Sequence, residues 1–294
     1  GNTITHSTMS SAQSGDYALY MEGSSNTLTH SFISNPGGYG AQFTSGYGFL
    51  ITDSTMTTGS AGFEPALQLT ATSSTTIARC YISNTNGIGL SLDTVDNTTI
   101  YDSTAIGGNG WFAAYYNGGS SNTITRGYLY ATGASALQVD DEMYSSVDDS
   151  TLAADYNLAA LYLFSGGYNR FQGFIISNDS GAAVRFEGAQ AEGNTLIMST
   201  MTSLAAALPA LEIVNAGTNT ISSNYVQGST AAVVRGSTGT IISGTVFVAT
   251  NTAGSALAFA GGSVNLTIAT STLLAPSLGR ALALNPNNKG VVSL

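Results

Sequence analysis

The chain has 294 residues, 43% of them hydrophobic and only 8% charged, with a formal net charge of −10. Its apolar runs fall short of the roughly 20 residues that a membrane-spanning helix needs, and the steady recurrence of Ile, Leu, Val, Phe and Tyr excludes a disordered chain. One lysine, Lys289, and six arginines make no basic stripe, so neither nucleic acid nor an anionic membrane is an expected partner. The lone Cys80 allows no internal disulfide and no Cys-based metal cluster.

The opening phrase "NTITHSTMS" returns as "NTLTHSFIS" from Asn26, "NTITRGYLY" from Asn122 and "NTLIMSTMT" from Asn194. Its apolar anchor falls at Ile4, Leu28, Ile51, Ile77, Ile100, Ile124, Val147, Phe171, Leu196, Ile221, Ile241 and Ile268, which makes twelve units averaging 24 residues. Five positions after each anchor stands a second apolar column, from Met9 and Ile33 to Val246 and Leu273. A straight strand of period 2 cannot put positions 1 and 6 on one side, so the strand must bend between them. The bend position is small or polar, mostly Ser: Ser7, Ser31, Ser54, Cys80, Ser103 and onward to Gly244 and Ser271. Stacked hydroxyls there can satisfy one another and the nearby backbone.

A second strand follows in every unit, as in "ALYM" from Ala18, "ALQL" from Ala66, "ALQV" from Ala136 and "ALEI" from Ala210. Its second and fourth residues are apolar and its third points outward. Turns rich in Gly, Ser and Asn separate the strands. Thr, Ser, Asn and Gly are poor helix formers, and the apolar spacing is not helical. Short strands at a fixed period describe a β-solenoid, in which stacked coils bury one continuous core. The repeat already runs at Asn2, and "RALALNPNNKGVVSL" at the other end holds a Pro-Asn turn and a further strand start. The expectation is a single domain over 1–294, a segment of a longer repeat protein whose open edges continue into neighbouring coils or pair copies end to end.

These units resemble the parallel β-helix repeat of the pectin-lyase-like superfamily, in which N-T-I-x-x-N-x-I alternates with G-I-x-L. "SSNTLTHSFIS" and "GIGLSL" carry the likeness. It implies an all-β, right-handed parallel β-helix of about twelve coils; the handedness comes from the resemblance and not from the period. It implies less about activity, because that fold carries lyases, hydrolases, epimerases, tailspikes, adhesins and inert stalks. The family's bend ladder is often Asn, where this chain has mostly Ser and only Asn224.

Candidate chemistry lies in several places. His6 and His30 occupy the same position in successive coils, one residue before the bend. That column continues as Asp53, Arg79, Asp102, Arg126 and Asp149, alternating acid and base. At the ~4.8 Å spacing of stacked strands it reads as a structural ion ladder. The stretch "VDDEMYSSVDDS" gathers Asp140, Asp141, Glu142, Asp148 and Asp149, hard oxygen ligands of the kind that suit Ca²⁺, although the spacing is not that of an EF-hand. The residue before the anchor is Thr in nine of twelve coils, Thr240 among them, a partial ladder of the type seen on ice binders. Finally, the outward position of the second strand carries Tyr20, Gln42, Gln68, Tyr115, Gln138, Tyr162 and Arg185 beside a column of Ala and Gly. A floor of small residues flanked by Tyr and Gln would form a trough suited to sugar rings.

No G-H-G turn, R-x-K or cluster of catalytic aspartates of the polygalacturonase type is present, and coils of 20 to 27 residues leave little room for roofing loops. The expectation is therefore a non-catalytic, extracellular, adhesive or structural β-helical element of a bacterial surface protein, with carbohydrate as partner along one face and no obligatory cofactor. The alternative is a carbohydrate-active enzyme or tailspike of the same superfamily. Ice binding and a trimeric phage fibre are further readings.

Overall fold

The structure, a computed structural model, describes residues 1–285 and the backbone of residues 289–292; the expected Pro286–Asn287 turn lies outside the described residues. The chain divides into two compact units, residues 1–151 and 152–294. Among the described residues there is no helix.

In the first unit three parallel sheets run side by side. The first sheet holds Thr3–Thr5, Thr27–Thr29 and the corresponding strands up to Ser146–Asp148. The second holds Thr8–Ser10 to Tyr128–Ala131, and the third Tyr17–Glu22 to Leu137–Met143. The second unit repeats the scheme, with first-sheet strands from Arg170–Gln172, second-sheet strands from Ile175–Asn178 and third-sheet strands from Leu161–Leu163. Within each unit the described strands pair in parallel with their counterparts one coil away, as Ile77 does with Ile51 and Ile100.

The bent strand of the repeat is thus two strands in two sheets, and the residue between them makes the corner. His6, His30, Asp53, Arg79, Asp102, Arg126, Asp149, Met198, Ser223 and Thr270 all have φ between 48° and 56°, and Gly173 and Gly244 fill the same place. A single left-handed residue turns the chain sharply enough that the anchor on one side and the bend residue on the other both point inward. For an L-residue that conformation costs roughly 1–2 kcal/mol, offset by the core it closes. Leu28, Ile51, Ile77, Ile124, Leu196, Ile221 and Ile268 of the anchor column are fully buried, as are Ile33, Met56, Ile82, Leu152, Ile176 and Met201 of the second column.

The bend hydroxyls satisfy the backbone and not one another. Ser31 Oγ accepts from the Ser7 N–H at 3.2 Å and donates to the Thr29 carbonyl at 2.9 Å. Ser150 Oγ likewise accepts from Gly127 at 3.0 Å and donates to the Asp148 carbonyl at 2.8 Å. A second internal ladder, which sequence reasoning missed, stands at the corner entering the first sheet. Asn26 Oδ1 accepts from the Asn2 N–H at 2.7 Å, Asn122 Oδ1 from Thr98 at 2.8 Å, and Asn219 Oδ1 from Asn194 at 2.9 Å. The Asn of N-T-I is therefore structural: its buried amide saves backbone groups that would otherwise be stranded in the core.

One coil departs from the expected phase. Ile221 and Ile268 both pair with Ile242, not Ile241, and Val226 pairs with Phe247, not Val246. The corner residue is Gly244 and the inward hydroxyl belongs to Thr245, so Thr240 leaves the outward Thr column, which falls to eight. Phe247 is fully buried while Ile241 is 46% exposed: burying the larger Phe side chain decides the register of "IISGTVF".

Candidate ligand-binding face

The third sheet presents its outward residues in strict register. Tyr20 pairs with Gln42, Gln42 with Gln68, and Tyr115 with Gln138; in the second unit Tyr162 pairs with Arg185 and Arg185 with Glu212. The expected ligand column is therefore continuous within each unit. The expected floor beside it is not open. Ala66, Ala113, Ala136, Ala160, Ala183 and Ala210 are fully buried at the corner, and a Cβ on Gly40 would lie 2.2 Å from the Ala66 carbonyl oxygen. Small residues occupy that column because neighbouring backbones pass too close for larger ones.

In the first unit the outward polar groups bind one another. Gln42 Nε2 donates to Gln68 Oε1 at 3.1 Å. Tyr115 donates its hydroxyl to Asp140 Oδ2 at 3.0 Å, and Gln138 Nε2 donates to the same oxygen at 3.0 Å. Burial, with the Asp140 charge beside it, pushes the Tyr115 phenol up to about 12. Loop aromatics that the sequence did not mark extend this patch. Phe112 stacks on Tyr115 with centroids 5.2 Å apart, and Trp111 meets exposed Phe63 edge-on at 4.3 Å.

In the second unit the face sinks into a cavity of about 270 Å³, lined by Asn157, Leu158, Ala159, Tyr162, Ala182, Arg185, Leu208 and Glu212. Arg185 Nη2 reaches Glu187 at 2.9 Å and Nη1 reaches Glu212 at 3.3 Å. Its guanidinium carbon lies 5.8 Å from the Tyr162 ring centre, within cation–π range. Tyr162 donates to Glu187 Oε2 at 2.6 Å. Burial pushes the Glu187 carboxyl up, but the hydrogen bonds from Tyr162 and Arg185 outweigh it and hold the carboxyl below its usual range. Glu187 is thus an anion at neutral pH, suited to accepting hydrogen bonds and not to donating a proton.

The acidic stretch of residues 140–149 does not converge on one point. Asp140 faces outward on the third sheet, Asp141 turns the chain at φ 56°, and the Glu142 carboxylate points inward to accept from Asn122 Nδ2 at 2.7 Å and from Ser145. Asp148 lies on the first sheet and Asp149 makes the following corner. Among the described residues no group of three or more His, Cys, Asp or Glu is placed to hold a metal ion. The alternating column makes two bidentate pairs, Arg79 on Asp53 and Arg126 on Asp102. Each arginine grips the acid one coil earlier and acts on the following one only at longer range. The rings of His6 and His30 stack 4.9 Å apart at 6°, each with Nδ1 within hydrogen-bond distance of the preceding threonine hydroxyl.

A family model described as a right-handed β-helix region matches residues 1–129 and 65–226. The chain belongs to this right-handed β-helix family. Membership supplies the handedness that the period left open, on about twelve coils of ~24 residues. Among solved structures the fold is similar to the Dettilon tailspike protein, at a TM-score of 0.66 and 13% identity over 83% of this chain and 58% of that one. It is similar to tailspike protein 3 of bacteriophage CBA120, at a TM-score of 0.67 and 10% identity over 99% of this chain and 51% of that one. PfbA, a surface adhesin of Streptococcus pneumoniae, aligns at a TM-score of 0.61 and 8% identity over 90% of this chain and 85% of its own. At these identities the likeness is one of fold. The chain spans a little over half the length of the two tailspikes. No curated protein matches it by sequence. Among the described residues no helix is long and apolar enough to cross a membrane.

Proposed function

We propose that this chain is a non-catalytic β-helical element of an extracellular surface protein, and that the outward face of its third sheet binds carbohydrate. The observation that carries this reading is the cavity at Tyr162, Arg185 and Glu212, where an aromatic ring, a guanidinium and two leucines meet carboxylate and amide acceptors. A pyranose has the same duality: an apolar C–H face that stacks on an aromatic ring and an equatorial rim of hydroxyls that hydrogen-bonds to acids and amides. The likeness of fold to two tailspikes and a surface adhesin supports the surface location.

Glu187, held ionised by its hydrogen bonds from Tyr162 and Arg185, does not supply the protonated acid that hydrolysis by paired carboxyls needs. Arg185 also ion-pairs with both Glu187 and Glu212, which restrains the carboxyls that such a mechanism would use. The test is a glycan array followed by calorimetry on the best ligand, run beside product-release assays on uronate polymers. A glycan should be retained, and Tyr162→Ala should weaken it about tenfold or more in a protein that still unfolds cooperatively. Retention of no glycan, or binding indifferent to Tyr162→Ala, overturns the assignment of this face; release of product from any polymer replaces it with an enzymatic one.

A further inference from the structure

The second sheet of the first unit carries a different periodicity, one that repeats every two coils. Its outermost position reads Thr8, Phe32, Thr55, Tyr81, Thr104 and Tyr128 along the stack. Thr55 pairs with both Phe32 and Tyr81, and Thr104 with both Tyr81 and Tyr128, without a bulge. The three rings are 42–43% exposed. Among the described residues none of them stacks on another ring or makes a side-chain hydrogen bond. With strands ~4.8 Å apart, one ring recurs every ~9.6 Å across the strands.

The charges beside the rings follow the same beat and cancel. Arg79 and Arg126 stand two residues before Tyr81 and Tyr128, and each is closed at 2.7 Å on an aspartate of the intervening coil. This strip therefore offers rings and threonine hydroxyls with its cations already satisfied, on a chain whose net charge of −10 repels polyanions.

We infer that Phe32, Tyr81 and Tyr128 form a second binding strip for a neutral, extended, β-(1→4)-linked polysaccharide lying across the strands. In such a polymer each sugar is turned over relative to the last, so the same ring face returns once per disaccharide. That repeat is close to two strand spacings, and each aromatic ring meets the same face of every second sugar. An α-(1→4)-linked glucan coils and has no straight repeat of this length. The strip lies on a different sheet from the cavity at Tyr162 and does not rest on its assignment.

Calorimetry with cellohexaose and chitohexaose, and with maltohexaose as the coiled control, tests this on the whole chain. At least one of the two β-linked hexasaccharides should bind, and more tightly than its own disaccharide, because it spans more than one ring. Tyr81→Ala and Tyr128→Ala should each weaken binding about tenfold, whereas Tyr162→Ala should leave it unchanged. Both tyrosines are exposed, so the variants should keep the wild-type melting temperature. Failure of both β-linked probes to bind, equal binding of maltohexaose, or binding that survives Tyr81→Ala overturns the inference; a loss confined to Tyr162→Ala assigns the ligand to the third sheet instead.

Discussion

The Arg79 guanidinium closes on both carboxylate oxygens of Asp53 across one coil, Nε on Oδ1 and Nη2 on Oδ2, each at 2.7 Å. Both residues sit at left-handed corners, with φ 52° and 50°. The ladder thus ties together the positions where the backbone is most constrained. Hydrogen bonds from Arg79 hold the Asp53 carboxyl below its ordinary value of 3.8, more than its small desolvation raises it. A depressed carboxyl stabilises the fold above its unfolded pKa, and that contribution is lost as pH falls through the lower folded value. Arg79→Ala should therefore melt slightly below wild type at neutral pH. The gap should shrink with added salt and vanish in strong acid. Melts across pH and ionic strength check this; a gap that ignores both would mean that the arginine stem, not its charge, stabilises the corner.

Glu142 should give the opposite slope. Burial pushes its carboxyl up to about 7 from 4.5, although Ser145 and Asn122 hydrogen-bond to it. A carboxyl raised on folding favours the native state below the unfolded pKa, and this stabilisation is lost as pH climbs through the folded value. Stability should fall between pH 4.5 and about 7 by at most roughly 3 kcal/mol. Glu142→Gln keeps an acceptor for Asn122 and should flatten that slope, so chemical denaturation of the two proteins at either end of the interval is the measurement.

The register of the eleventh coil can be tested with two alanines. Phe247→Ala removes a fully buried ring and should cost about 3–5 kcal/mol. Ile241→Ala changes a half-exposed residue and should cost less than about 1 kcal/mol. Equal losses would restore the phase that the spacing of the repeat suggested.

Met198 occupies a left-handed corner at φ 51° with its side chain 52% exposed. Met198→Gly removes a conformational cost of roughly 1–2 kcal/mol at the expense of about 0.5–1 kcal/mol of added chain entropy. A small rise in melting temperature is expected. A fall would show that the exposed methionine contributes packing that outweighs the backbone strain.

The coil period, the inward columns and the parallel stacking were all legible in the sequence, because every coil must bury the same positions against its neighbours and so repeats them locally. The acid–arginine alternation was legible for the same reason: pairs formed one coil apart recur at the coil's own spacing. Tertiary structure alone decided the rest. It chose Ile242 over Ile241, since two adjacent apolar residues satisfy a period equally and only the space available for Phe247 separates them. It put the left-handed turn on Asp53, Arg79 and their kin, residue types with no shared preference for that conformation, because closing the core outweighs the local cost. It turned the Asn of N-T-I inward as a backbone partner and brought Phe63 to Trp111, a contact between coils that no local pattern announces. It dispersed the acids of residues 140–149, whose nearness along the chain says nothing of direction when a left-handed Asp141 sends Glu142 inward and leaves Asp140 facing out.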